Sequence, residues 1–195
     1  MTTLFRIVLV LLMSCVCAHA DTIREALVNL CDPAKIATIS AERGANPRVR
    51  KICYWLEMAW KSGREPSTEM KEVMSVVGWG ETAKGDLTAD AMVRNRVIAE
   101  RLGCLDEDGM SDLRSGKAAI IRNGPYAGDK LSVDHIIPRA VCAELDTTLA
   151  NLELMPMRMN SSKSDSIGER QVDMAKKFHA AGLLSKAGLD AVLAR

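Results

Sequence analysis

The sequence predicts an α+β chain, mostly helical, with a single strand pair toward its C-terminal end. Three observations lead there. Apolar residues recur at helical three-to-four-residue spacing through most of the 195 residues. Aromatic residues are only 4% of the chain, while Ala, Leu, Val and Met are abundant. Only two short segments, Leu131 to Ile137 and Leu152 to Met155, carry the β-branched or alternating pattern of strands.

Taken in order, residues 1–20, MTTLFRIVLVLLMSCVCAHA, have one positive charge at Arg6, an apolar run from Ile7 to Met13 and a small-residue ending at Ala18-His19-Ala20. These are the parts of a secretory signal peptide cleaved before Asp21, with an apolar run too short for a permanent membrane span. The expectation is a secreted or periplasmic protein with no stable membrane span. Lipoprotein anchoring at Cys15 is the minor alternative, because Met13 sits where a small residue is preferred.

Residues 21–120 read as a helical N-terminal region. TIREALVNL, from Thr22 to Leu30, has helical spacing and ends at Cys31-Asp32-Pro33. Asn46-Pro47 opens a second helix by the cap-then-proline rule, with Val49, Cys53, Leu56 and Trp60 on one stripe. The stripe predicts that Trp55 and Trp60 pack in the core. A third helix starts at Pro66-Ser67-Thr68-Glu69 and runs out at Gly78-Trp79-Gly80, whose glycine spacing does not fit a dinucleotide fingerprint. Thr88 to Leu102 is predicted as an amphipathic helix. Asp106-Glu107-Asp108-Gly109 is predicted as a solvated turn, since it lacks the ligand spacing and closing glutamate of a calcium hand.

Residues 121–195 differ in texture. Turn residues cluster at Asn123-Gly124-Pro125-Tyr126-Ala127-Gly128, followed by the two strands with an irregular stretch between them. A helix is predicted from about Met157, placing Asn160 and Lys163 on one face. Amphipathic helices follow at Gly168 to Ala180 and Ser185 to Leu193. His179 lies in the first of these without an acidic or cysteine neighbour, which marks it as ordinary surface or core.

Removing residues 1–20 takes away Arg6 and no acid, leaving 25 basic against 25 acidic residues. That balance excludes indiscriminate coating of nucleic acid or membrane, so anion binding must be local. Loss of Cys15 and Cys17 leaves Cys31, Cys53, Cys104 and Cys142, an even number suited to two disulfides in an oxidising compartment. Four cysteines allow three connectivities; sequence proximity favours Cys31 with Cys53 and Cys104 with Cys142. None forms a CxxC pair, which argues against a zinc knuckle. Met155, Met157 and Met159 lack the further ligands of a soft-metal site.

Three polar positions stand out in the strand-loop-strand-helix segment: Asp134-His135, Asn151 and Asn160. Fifteen residues separate His135 from Asn151 and eight separate Asn151 from Asn160. DHIIPRA, then NLELMP, then NSSK resembles the HNH endonucleases, in an H-N-N version of their pattern. The resemblance covers roughly residues 123–171, about a quarter of the chain, with several elements matching in order.

What the resemblance implies is a ββα-metal nuclease core with C-terminal helical additions, and metal-dependent hydrolysis of phosphodiester bonds. DNA is the expected substrate ahead of RNA, and the family usually leaves a 5′-phosphate and a 3′-hydroxyl. By resemblance His135 is the general base, a role suited to a side chain type that titrates near neutrality. Asp134 and Asn160 offer hard oxygens to a divalent cation, Mg²⁺ first, with Mn²⁺ or Zn²⁺ as alternatives. Asn151 orders the loop between the strands by bonding backbone, and so supports the histidine. Lys163 and Arg139 are placed to pair with phosphates, and Arg158 and Arg170 to extend that surface.

Export removes such an enzyme from the chromosome, which disfavours restriction or intron homing; the sequence identifies no immunity partner. The alternative is a non-catalytic exported nucleic-acid-binding or scaffold protein retaining the same fold. It would require a lost motif residue, and none is lost. A serine or cysteine hydrolase finds no nucleophile with an evident partner.

Overall fold

Proline and short polar side chains set most of the helix starts. The computed structural model describes residues 22–163 and 165–195; the expected signal peptide and Cys15 lie outside them. The first helix, α1, covers 22–31. Asp32 then caps the short α2, Pro33–Ile36, by accepting the Ala34 N–H, and a π-helical turn at Ala41–Ala45 leads into α3, Asn46–Lys61. α4 is Pro66–Val76, α5 is Ala83–Arg101 and α6 is Glu107–Arg114. Strands β1, Leu131–His135, and β2, Leu152–Pro156, are followed by α7, Met157–Ser162, α8, Glu169–Ala180, and α9, Lys186–Leu193. The protein is therefore mostly helical, with one small sheet. Among the described residues no helix is long and apolar enough to cross a membrane.

Several boundaries differ from the sequence reading for local reasons. α5 begins at Ala83, five residues before the expected Thr88, because Thr82 Oγ1 accepts the Gly85 N–H at 3.2 Å and donates to Trp79 O at 2.7 Å. The expected turn at Asp106 to Gly109 is instead the start of α6: Asp106 Oδ1 accepts the Gly109 N–H at 2.8 Å, and the following acids suit a helix N-terminus. Trp60 does not join its stripe in the core. Val49, Cys53 and Leu56 are fully buried, but Trp60 lies near the helix end, 51% exposed, with the Arg96 guanidinium 5.5 Å from its ring centroid. β1 stops two residues before Ile137: Ile136 N–H still donates to Asn151 O at 2.8 Å in the register of the ladder, but Ile137 N–H turns to the Asn151 side chain. That side-chain bond draws the chain off the ladder and into its loop.

The strands pair antiparallel, with Leu131 opposite Pro156, Val133 opposite Leu154, Asp134 opposite Glu153 and His135 opposite Leu152. The β1 edge is covered at its start and the β2 edge along its middle. Beside β1, Leu131 N–H donates to Ala119 O and Ile121 N–H to Asp129 O, each at 2.8 Å. Beside β2, the fully buried Asn95 of α5 donates from Nδ2 to Leu152 O at 2.9 Å and accepts the Leu154 N–H at 2.8 Å. One side-chain amide thus substitutes for a neighbouring strand and satisfies backbone groups that cannot reach water.

The apolar core does not divide at residue 120. Leu131, Val133, Leu152 and Leu154 pack in the same cluster as Leu27, Ile52, Leu56, Met70 and Met92 of the N-terminal helices. A second cluster, with Ile137, Leu145, Phe178, Leu184 and Val192, joins the inter-strand loop to α8 and α9. Period-two alternation gives the sheet one apolar face, which completes the helical core, and leaves Ser132, Asp134 and Glu153 on the other.

The cysteines require a correction. Cys31, Cys53, Cys104 and Cys142 are all buried free thiols, and the expected pairs Cys31–Cys53 and Cys104–Cys142 are not formed. Cys104 packs in the helical cluster and Cys142 in the second one, so proximity in sequence did not carry over to space. Burial pushes the Cys31 and Cys104 thiols up to about 12, and Cys53 higher still.

Candidate functional site

A polar cleft of about 210 Å³ lies where β1, the loop after it and α7 meet, lined by Asp134, His135, Pro138, Arg139, Ala140, Asn160, Lys163 and Asp165. The fold brings five of the sequence-predicted residues into this one cleft: Asp134, His135, Arg139, Asn160 and Lys163. A larger cavity of about 460 Å³ between α4 and α5 gathers none of them.

Asp134 occupies the polar face of β1, and Ser132, two residues earlier, shares that face. Asn160 reaches it from α7, donating from Nδ2 to Ser132 Oγ at 2.7 Å. With Nδ2 engaged, the amide oxygen is the atom Asn160 has left to offer. Asp129 holds α7 from below, accepting the Arg158 N–H at 2.8 Å. That hydrogen bond is the chief reason the Asp129 carboxyl titrates below its usual range.

His135 ends β1. Parity alone would turn its side chain to the apolar face, but its Nε2 lies 2.9 Å from Asp146 O in the inter-strand loop, with Asp146 Oδ1 3.4 Å away. A carbonyl oxygen only accepts, so Nε2 carries the hydrogen and the neutral ring keeps its lone pair on Nδ1. The ring is 16% exposed, screened but reachable. Nothing in the sequence singles out Asp146, whose backbone oxygen meets the ring while its carboxylate lies near both His135 Nε2 and Arg139 Nε.

Asn151 is fully buried beneath this loop. Its Oδ1 accepts the Ile137 N–H at 2.8 Å, and its Nδ2 donates to Ile137 O at 3.1 Å and Leu145 O at 3.5 Å. It thereby fixes the chain just after His135 and just before Asp146, the two ends of the histidine contact. It does not line the cleft.

The basic residues separate into two groups. Lys163, immediately after α7, points its ammonium at Asp134 Oδ2 (2.5 Å) and His135 O (2.6 Å), so it spans the end of β1 instead of standing free for a phosphate. Arg139 is 69% exposed at the cleft rim, with Nε 3.7 Å from Asp146 Oδ1. Arg158 and Arg170 are not in the cleft: Arg158 pairs with Asp129 beside the Tyr126 ring, and Arg170 pairs with Glu153.

The cation test is a test of donors. Asp134 and Asn160 present hard oxygens from two elements locked to each other through Ser132, and Asp165 lines the same cleft. The Lys163 ammonium already holds Asp134 Oδ2 and His135 O, which leaves Oδ1 as the Asp134 oxygen open to a cation. Among the described residues no three His, Cys, Asp or Glu side chains converge as a metal cage. A cation held by Asp134 and Asn160 would therefore keep much of its shell for water, as Mg²⁺ does. The donor set fits a hard divalent ion.

Sequence reading missed Ser132, Asp146, Glu153 and Asn95. Ser132 and Glu153 were accessible to it, because strand periodicity places them on the Asp134 face. Asn95 gave no local signal. Comparison of the chain with protein-family models, characterised proteins and solved structures returns no significant match.

Proposed function

We propose that the protein is a metal-dependent endonuclease that hydrolyses DNA phosphodiester bonds, a reading that also accommodates RNA. One observation carries it: His135, oriented by the Asp146 carbonyl, shares a single cleft with two hard-oxygen donors, Asp134 and Asn160.

Phosphodiester hydrolysis needs a proton removed from water, a phosphate held in line, and charge neutralised as the P–O bond breaks. His135 Nδ1 has the lone pair for the first task, and its Nε2–H stays on Asp146 O, which stabilises the imidazolium after the proton arrives. Asp134 and Asn160 would hold the divalent cation, whose chemistry when bound is to stabilise negative charge on phosphate and leaving oxygen. Lys163 and Arg139 bring positive charge to the cleft, and Asn151 keeps the histidine loop from shifting.

The test is plasmid cleavage by the mature chain with Mg²⁺ or with EDTA, beside His135→Ala. Mg²⁺-dependent nicking that falls by at least about a hundredfold in His135→Ala is expected from the usual size of a general-base contribution. Intact plasmid across Mg²⁺, Mn²⁺ and Zn²⁺ would remove the nuclease reading; undiminished cutting by His135→Ala would remove its base.

A further inference from the structure

A positively charged side chain is already seated on the carboxylate read as a metal ligand. The Lys163 ammonium donates to Asp134 Oδ2 at 2.5 Å and to His135 O at 2.6 Å. A divalent ion on Asp134 would meet that charge across a single carboxylate, which costs affinity. We propose that Lys163 is the selectivity residue of the cation site: by capping Asp134 Oδ2 it limits the carboxylate to one-oxygen ligation, which favours Mg²⁺ over Ca²⁺. This rests on the reading of Asp134 and Asn160 as the cation site, and adds the residue that decides which ion the site takes.

Placement is the first support. Lys163 closes α7, and its N–H donates to Met159 O and Asn160 O, each at 3.1 Å. The cap and the second ligand, Asn160, are therefore set by one turn of chain. Two of the three ammonium donors are used, on acceptors from neighbouring residues of β1, so the cap is fixed at two points.

Donor count is the second. Asp134 keeps Oδ1, and Asn160, with Nδ2 on Ser132 Oγ at 2.7 Å, keeps its amide oxygen. Ca²⁺ fills a large shell and often takes both oxygens of a carboxylate, whereas Mg²⁺ keeps several waters and accepts one. Charge is the third. Two acids, Asp134 and Asp165, and two bases, Arg139 and Lys163, line the cleft and balance. Arg139 is 69% exposed at the rim beside Asp146, and Glu153, across the sheet from Asp134, is engaged by Arg170 at 2.6 Å. Lys163 is thus the cation that bears directly on Asp134. Without it the lining is net negative and every divalent ion gains, but only the freed Oδ2 tells one ion from another.

The test measures ion binding without substrate. Mn²⁺ is titrated into the chain of residues 21–195, free Mn²⁺ is read by electron paramagnetic resonance, and Mg²⁺ or Ca²⁺ is used to displace it. Wild type should bind Mg²⁺ more tightly than Ca²⁺, and Asp134→Asn should lose the ion. Lys163→Met should bind Mn²⁺ on the order of tenfold tighter, the scale of removing one unit charge beside a divalent ion at a partly exposed site. Its gain for Ca²⁺ should exceed its gain for Mg²⁺ by about threefold or more, as the second oxygen comes free. If circular dichroism shows that Lys163→Met does not fold, Lys163→Ser removes the same charge and cap without placing an apolar side chain in the cleft, and the same gains are expected. Equal gains for the two ions, unchanged affinities in a folded variant, an ion that stays in Asp134→Asn, or a wild type that prefers Ca²⁺ each overturn the proposal. Where wild type still cuts plasmid with Mg²⁺, the nuclease reading survives that result; where it neither binds Mn²⁺ nor cuts, both fall together.

Discussion

Replacing Asn95 should show how much the small sheet owes to the N-terminal helices. The side chain is fully buried and makes two bonds to β2, to Leu152 O at 2.9 Å and from Leu154 N at 2.8 Å. Asn95→Leu keeps the volume but removes both partners, leaving a buried carbonyl and a buried N–H unsatisfied. Each such group costs roughly 1–3 kcal/mol, so a total of about 3 kcal/mol is expected. For a chain of this size that corresponds to a Tm lower by about 6–12 °C. Asn95→Asp refines the reasoning: it still accepts from Leu154 N–H but sets an anionic oxygen against Leu152 O. It should be at least as destabilising at pH 7, with a penalty relative to wild type that shrinks as pH falls from neutrality toward about 4, since burial raises the folded acid's pKa and the protonated acid can donate. Circular dichroism melts over that pH range make the measurement. An Asn95→Leu melt within about 2 °C of wild type would refute the claim that the amide stands in for a strand, and an Asn95→Asp penalty that does not shrink in acid would refute the donor assignment.

Two further predictions concern the loop and the thiols. Asn151→Asp keeps the acceptor for Ile137 N–H but turns an anion toward Ile137 O and Leu145 O, so a stability loss of about 3 kcal/mol in denaturant titration is expected; a change under 1 kcal/mol would deny the loop clamp. For Cys31, Cys53, Cys104 and Cys142, Ellman titration of a chain of residues 21–195 should read essentially no thiol when native and four in guanidinium, and fewer than four when denatured would show that pairs form after all. The pH sign follows from burial. The native thiols titrate at about 12 for Cys31 and Cys104, above the unfolded value, so the unfolded state binds fewer protons in alkali and the melting temperature should fall steadily above about pH 9.

The strand-helix segment was legible because its logic is local. Period two put Asp134 on a polar face, helical spacing put Asn160 within reach of it, and the turn residues before Leu131 separated this segment from the helices. Proline and small polar caps likewise marked the starts of α3, α4 and α9 within a residue or two. What resisted reading depended on distance. Trp60 fits its apolar stripe by spacing yet is half exposed, one residue before the end of α3. Thr82 caps α5 only in combination with Trp79 and Gly85. Cysteine proximity in sequence said nothing about which of two core clusters each would enter. Lys163 was read from its spacing as a free cation, but the ends of β1 and α7 bring it onto Asp134 and His135 O.

Asn95 is the instructive failure. An asparagine inside an amphipathic helix reads as surface, since its type is rarely buried without partners. Its partners lie 57 and 59 residues away, on the edge of a strand that would otherwise present bare backbone groups to the core. That edge decides how the helical region and the cleft relate. Leu131, Val133, Leu152 and Leu154 complete the helical core, Asn95 closes the ladder beside β2, and Arg94 reaches the residue facing Asp134. Two strands with one apolar face and an open edge do not make an independently stable sheet. The hundred helical residues before β1 therefore hold β2 in place, and with it Asn151 at one end and α7 with Asn160 at the other. The spacing between Asp134 and Asn160 is a property of the whole chain, even though the residues that betray it sit within thirty positions of one another.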